Sequence, residues 1–86
     1  MRVIYCNIDP FAYDQKVYAY GGDSQIEIGK APINNLPQFI TNQCNELNIS
    51  EVTLTGVPHY ANDVASKILE YSKTKYNNKN ITVTVR

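Results

Sequence analysis

The segment that most constrains the fold of this 86-residue chain is an apolar run near its start, residues 3–8. In an extended strand this run places side chains on two faces: Val3, Tyr5 and Asn7 on one, and Ile4, Cys6 and Ile8 on the other. A strand that is apolar on both faces is typical of the centre of a sheet with cover on both sides. Asp9 and Pro10 follow, and proline cannot continue strand pairing. The run therefore predicts a central strand that ends in an acidic turn.

Four more strands and two helices are predicted after this turn. Residues 16–20 and 25–29 read as a hairpin joined by a glycine-containing tight turn, with Ile26 and Ile28 facing the core. Apolar residues recur at helical spacing in two segments, after Asn34 or Asn35 and after residue 59, and Leu69 belongs to the second stripe. Residues 51–55 and 81–85 alternate as strands. The predicted order is β-β-β-α-β-α-β.

This order limits the sheet to few arrangements. Hairpins make the first three strands antiparallel, whereas helical crossovers make the first, fourth and fifth strands parallel through right-handed connections. A mixed five-stranded sheet ordered 3-2-1-4-5 satisfies both conditions. Residues 1–86 are thus expected to form a single compact α/β domain.

Charge and cysteine content exclude several classes of protein. The formal net charge is zero, which argues against a general coat for nucleic acids or membranes. Residues 67–86 are more basic, with five basic side chains and one acidic, which suits either a solvated helix end or a contact with phosphates. Cys6 and Cys44 lack zinc-site spacing and read as small buried hydrophobes. We expect a cytoplasmic protein with reduced cysteines and no membrane partner.

The predicted topology, together with Asn7-Ile8-Asp9-Pro10, resembles the ribonuclease H-like superfamily. The motif is similar to the first-strand Ile-Asp-Pro-Gly of its resolvase-like members. In those nucleases the aspartate binds a divalent metal for phosphodiester hydrolysis. The resemblance therefore implies Asp9 as a metal ligand, with Mg²⁺ or Mn²⁺ as the cofactor of such an enzyme.

The other carboxylates of such a nuclease are missing from the expected positions. Two-metal hydrolysis needs several carboxylates to hold two cations, yet the fourth strand ends in Thr55-Gly56 without an acid. Glu46 and Asp63 are poorly placed by register, and Phe11 stands where the family has glycine. The sequence favours a protein without catalytic activity and without a cofactor.

Residues 56–59 form a second candidate site. They join a parallel strand to a helix N-terminus, where free backbone amides suit an anion. Gly56 and the single histidine, His59, would bind the ligand, and Asp9 would lie at the same edge of the sheet. The alternative is a plain helix entry with an exposed histidine.

Aromatic side chains in the opening hairpin form a third candidate: Phe11, Tyr13, Tyr18 and Tyr20. They would cover the core, stack nucleic-acid bases or form a protein interface. We interpret the chain as a small non-catalytic ribonuclease H-like interaction module that acts through a protein surface as a homodimer, of a size that suits a phage or mobile-element accessory protein. The alternative is a metal-dependent nuclease, or a nucleotide- or phosphate-binding protein, centred on Asp9 and the Gly56–His59 loop.

Overall fold

A computed structural model describes residues 2–75 and 80–86. These residues form one sheet with two helices, and the elements are β1 (Arg2–Ile8), β2 (Asp14–Gly21), β3 (Ser24–Pro32), α1 (Leu36–Leu47), β4 (Glu51–Gly56), α2 (Pro58–Lys75) and β5 (Thr82–Val85). Both helices begin with proline near the first position, where the missing N–H costs no hydrogen bond. Asn48 ends α1 in the left-handed conformation, as a helix stop requires.

The strand order is β3-β2-β1-β4-β5, which confirms the predicted topology. The pairs β1–β2 and β2–β3 are antiparallel, whereas β1–β4 and β4–β5 are parallel. The hairpins and crossovers therefore pair the strands as their connection lengths require. The carboxyl ends of β1, β3 and β4 meet at one edge of the sheet, which we call the carboxyl edge.

Both helices pack on the same face of the sheet, where they also contact each other. Each crossover moves in the same direction along the sheet, from β3 to β4 and then from β4 to β5. Two right-handed crossovers in one direction place their helices on one face. The prediction that β1 is covered on both sides is therefore wrong: Ile4, Cys6 and Ile8 are buried, but Val3 and Tyr5 are only partly buried and Asn7 is exposed.

The core lies between the helices and this covered face of the sheet. Strand residues Ile4, Val17 and Leu54 are fully buried there, as is Ile68 of α2. Helix residues that share the core are Leu36, Ile40, Cys44, Ala61, Val64 and Ala65. The helical stripes thus bury most of the positions that their spacing predicts, but Phe39 and Leu47 are only partly buried and Leu69 is exposed.

The third strand differs from its sequence pattern. Ile26 was expected to face the core, but it is 63% exposed. It pairs with Ala19 near the hairpin end, whereas α1 reaches the other end of β3, where Phe39 lies against Gly29. The register also shifts between Val17 and Tyr18, which leaves Ile28 as an extra residue on β3. This β-bulge breaks the strict alternation on which the prediction depended.

Among the described residues, neither helix has both the length and the apolar character needed to cross a bilayer.

Candidate functional site

The face of the sheet opposite the helices carries three partly buried tyrosines on its central strands, Tyr5, Tyr18 and Tyr20. Their common face follows from the register, because Tyr5 pairs with Tyr18 and Val3 pairs with Tyr20. We call this surface the open face. It continues across β4 and β5 through the threonines at every second position: Thr53, Thr55, Thr82 and Thr84.

The tyrosines of the open face are held in place by neighbouring side chains. The rings of Tyr5 and Tyr20 meet edge to face, with centroids 5.5 Å apart. Aromatic pairs prefer this arrangement. The Thr55 hydroxyl donates to Asn7 Oδ1 at 2.9 Å. Because a hydroxyl has one proton and Thr55 donates it to Asn7, the Tyr5 hydroxyl is the donor in its bond to Thr55 Oγ1, at 2.8 Å. This chain of bonds orients the Tyr5 ring on the sheet.

Phe11 and Tyr13 do not lie on the strands that carry the other aromatic residues. They belong to the turn between β1 and β2, where they are 95% and 82% exposed. Of the four residues predicted as an interface, the structure thus brings Tyr18 and Tyr20 together on the open face. It places Phe11 and Tyr13 at the carboxyl edge.

Asp9 supports this turn through local hydrogen bonds. Its carboxylate accepts the backbone N–H of Phe11 at 2.9 Å, and its carbonyl accepts the N–H of Ala12 at 3.2 Å. Aspartate commonly closes turns in this way. The Asp9 side chain is exposed, so its charge remains in water.

Gln15 is a buried structural part of the turn that the sequence pattern did not reveal. Its side chain is 2% exposed and faces the same side of β2 as Val17. Its Oε1 accepts the N–H of Asp9 at 2.8 Å, while Nε2 donates to the carbonyls of Asp9 and Ala12 at 2.7 and 3.0 Å. A buried amide must find such partners. The sequence signal was a polar residue two positions before Val17, on the inward side of the strand.

The Gly56–His59 loop is shaped by close packing of two strands. Gly56 pairs with Ile8 and has φ of +112°, and a Cβ at this position would overlap the Ile8 carbonyl oxygen. Glycine is therefore required here whether or not an anion binds. His59 is exposed in the first turn of α2, with its ring edge-on to Tyr60. Asp9 follows β1, Gly56 is the last residue of β4 and His59 follows β4, so all three lie at the carboxyl edge.

The residues around Asp9 do not fit a two-metal centre. In the described ranges, 2–75 and 80–86, no three His, Cys, Asp or Glu side chains come together as a metal site. Asp63 instead pairs with Lys67 at 3.1 Å on the outside of α2. One exposed carboxylate that already accepts a backbone N–H provides too few ligands for such a centre.

Neither cysteine is exposed to solvent in the described structure. Cys6 and Cys44 form no disulfide with each other, and both are fully buried. Burial raises the pKa of the Cys6 thiol to about 12, because an apolar environment disfavours the thiolate. Since the thiolate is the reactive form, Cys6 is a packing residue rather than a nucleophile.

No protein-family model matches this chain, and a comparison of its sequence with curated proteins gives no significant match.

Proposed function

We propose that this chain is a small, non-catalytic, ribonuclease H-like interaction module that binds a protein through its open face. The observation that carries the proposal is the set of Tyr5, Tyr18 and Tyr20 beside Val3 on a sheet face that neither described helix covers. Tyrosine is enriched at protein interfaces because its ring is apolar and its hydroxyl tolerates water. Partly exposed aromatic rings that are grouped on one uncovered sheet face therefore support a role in binding.

The partner that we propose is a second copy of the chain. The formal net charge is zero, so there is no net electrostatic repulsion between two copies of the chain. Five strands about 4.8 Å apart and roughly 20 Å long present a projected area of about 480 Å². The solvent-accessible area is larger than this flat projection, because side chains project from the sheet. A standard interface buries about 800 Å² on each partner. We therefore expect a dimer with a dissociation constant in roughly the micromolar range.

Sedimentation equilibrium tests this proposal over a range of protein concentrations. The wild-type chain should approach twice its monomer mass at about 100 µM, well above the expected dissociation constant. Tyr18→Lys should make it monomeric, because the new ammonium group would lose its hydration in the interface. Lysine at this position faces Glu27 on β3, so the monomer should remain folded. Tyr60→Lys is the matched control, since Tyr60 lies on α2.

Two results would contradict the proposal. One is a wild-type chain that remains monomeric at millimolar concentration. The other is a melting temperature that rises with Mg²⁺ or Mn²⁺ in the wild type but not in Asp9→Asn, which would favour the metal-dependent nuclease instead. Circular dichroism of every variant separates loss of binding from loss of folding.

A further inference from the structure

The basic residues of the open face are gathered at one of its two ends. Arg86 and Lys16 lie near the carboxyl edge, and Lys30 pairs with Lys16 at the same level of the sheet. The backbone of Arg86 continues the pairing of β5, because its N–H donates to the Leu54 carbonyl at 2.9 Å. These three cations form what we call the basic row.

The acidic side chains of the open face lie further from the carboxyl edge. Glu27 is level with Tyr18 in the middle of the sheet, and Glu51 is level with Thr82 at the opposite end. Asp14 is the exception, since it lies 3.9 Å from Lys30 and compensates part of that charge. Within residues 2–75 and 80–86, Lys16 and Arg86 form no ion pair, and Arg86 lies at the other side of the sheet from Asp14.

This segregation distinguishes the two symmetric ways of stacking one open face on another. Two sheets that pack face to face keep their strands within about 30° of alignment, so the two-fold axis runs either along the strands or across them. An axis along the strands exchanges the left and right sides of the sheet. It places Arg86 on β5 over the end of β3 that carries Lys30. An axis across the strands exchanges the two ends of each strand. It places Arg86 over the end of β5 that lies beside Glu51.

We infer that the dimer forms about a two-fold axis across the strands, with β1 of one copy antiparallel to β1 of the other. The inference rests on the proposed function, because it requires that the open face binds a second copy. Facing like charges are costly at an interface, and complementary charges fix its register. In this arrangement the basic row of each copy lies over the end of the other copy that carries Glu51. Residues level with Tyr5 face their own equivalents across the axis, so the Glu27 side chains of the two copies meet once, at the rim. An axis along the strands would instead bring Arg86 over Lys30 twice and would form no contact between Arg86 and Glu51.

Single-cysteine cross-linking tests the direction of the axis. Thr53 pairs with Tyr5 and lies on the proposed axis, so Thr53→Cys should give a covalent dimer with a short bismaleimide. Asn7 on β1 lies on the alternative axis, and Asn7→Cys should give little product. Cys6 and Cys44 are buried and should contribute no background. Ser66→Cys, on the exposed side of α2, measures product from random collision.

A charge exchange gives an independent test of the same geometry. Glu51→Arg and Arg86→Glu should each weaken the dimer roughly fivefold, because each breaks two symmetric rim pairs. The double variant should return close to the wild-type dissociation constant. Restored binding in the double variant supports the axis across the strands.

The outcomes separate this inference from the proposed function. A dimer that cross-links through Asn7→Cys but not Thr53→Cys overturns the axis and leaves the dimer intact. Cross-linking of Thr53→Cys no stronger than Ser66→Cys also overturns it. A chain that stays monomeric but binds a single-stranded oligonucleotide, and loses that binding in Tyr18→Lys, overturns both proposals.

Discussion

The two faces of this sheet come from the same strands, yet they differ in composition and packing. On β1, Ile4 and Cys6 point into the helical layer and are fully buried, while Val3 and Tyr5 point away and remain partly exposed. The covered face is aliphatic and close-packed. The open face carries tyrosines, threonines and charged residues, and hydrogen bonds join Tyr5, Thr55 and Asn7.

This contrast shows that the residue types on each face of a strand match the environment of that face. An aliphatic group is stabilised most when it is removed from water on all sides. Tyrosine and threonine keep polar atoms for solvent while their carbon atoms cover the sheet. The covered face therefore provides most of the stability of the chain, whereas the open face remains partly accessible to solvent. Residues that are neighbours on one strand should respond very differently to mutation.

The largest expected difference is between Ile4 and Val3. Ile4→Ala should lower the free energy of unfolding by about 2–5 kcal/mol, because it leaves a cavity in the packed layer. Val3→Ala should cost less than about 1 kcal/mol in the monomer, since Val3 is partly solvated. Urea denaturation at low protein concentration measures both values. Similar losses at the two positions would contradict the distinction between the faces.

A smaller effect is expected from the Cys6 thiol on the covered face. Its pKa is about 12 in the folded chain, compared with 9.0 for an unperturbed thiol. Stability from the protonated thiol is complete below pH 9 and falls as the pH rises toward 12, because only the unfolded chain then ionises. The slope is at most about 1.4 kcal/mol per pH unit. Unfolding measured between about pH 8 and pH 10.5 should fall more steeply in the wild type than in Cys6→Ala. Parallel pH profiles would show that burial does not protect the thiol.

The smallest expected effect concerns the hydroxyl of Tyr5 on the open face. Tyr5→Phe removes the bond to Thr55 and should destabilise the monomer by about 0.5–1.5 kcal/mol. Tyr20→Phe is the control, because Tyr20 contacts Tyr5 through its ring rather than through this chain of bonds. Thermal unfolding of the two variants under identical conditions gives the comparison. Equal melting temperatures would indicate that the bond contributes no net stability.

Much of the fold could be predicted from local sequence patterns. Gly22, with φ of +60°, allows the tight turn of the predicted hairpin, and Asn48 ends α1 in the left-handed conformation that asparagine tolerates. The strand order then followed from which connections were short and which contained a helix. These features depend on residues close together in the chain, so their patterns carry the information directly.

The candidate site was harder to predict, because its parts depend on distant contacts. The role of Gln15 was not predicted, because it bonds to the backbone of Asp9 and Ala12, and backbone groups are the same in every residue. The bulge beside Val17 changed which residues of β3 lie over the core. Gly56 was interpreted as a possible anion contact, but its close approach to Ile8 also requires glycine. None of these contacts has a periodic pattern along the chain.

By itself the sequence determined which residues share a face of each strand, because side chains alternate along any extended chain. It did not determine which face receives a second layer. The covered face depends on the tertiary structure, because two right-handed crossovers that run in one direction place both helices on the same side of the sheet. Handedness belongs to the assembled connection rather than to any residue. For that reason Tyr5, which reads as part of a buried strand, lies on an open face.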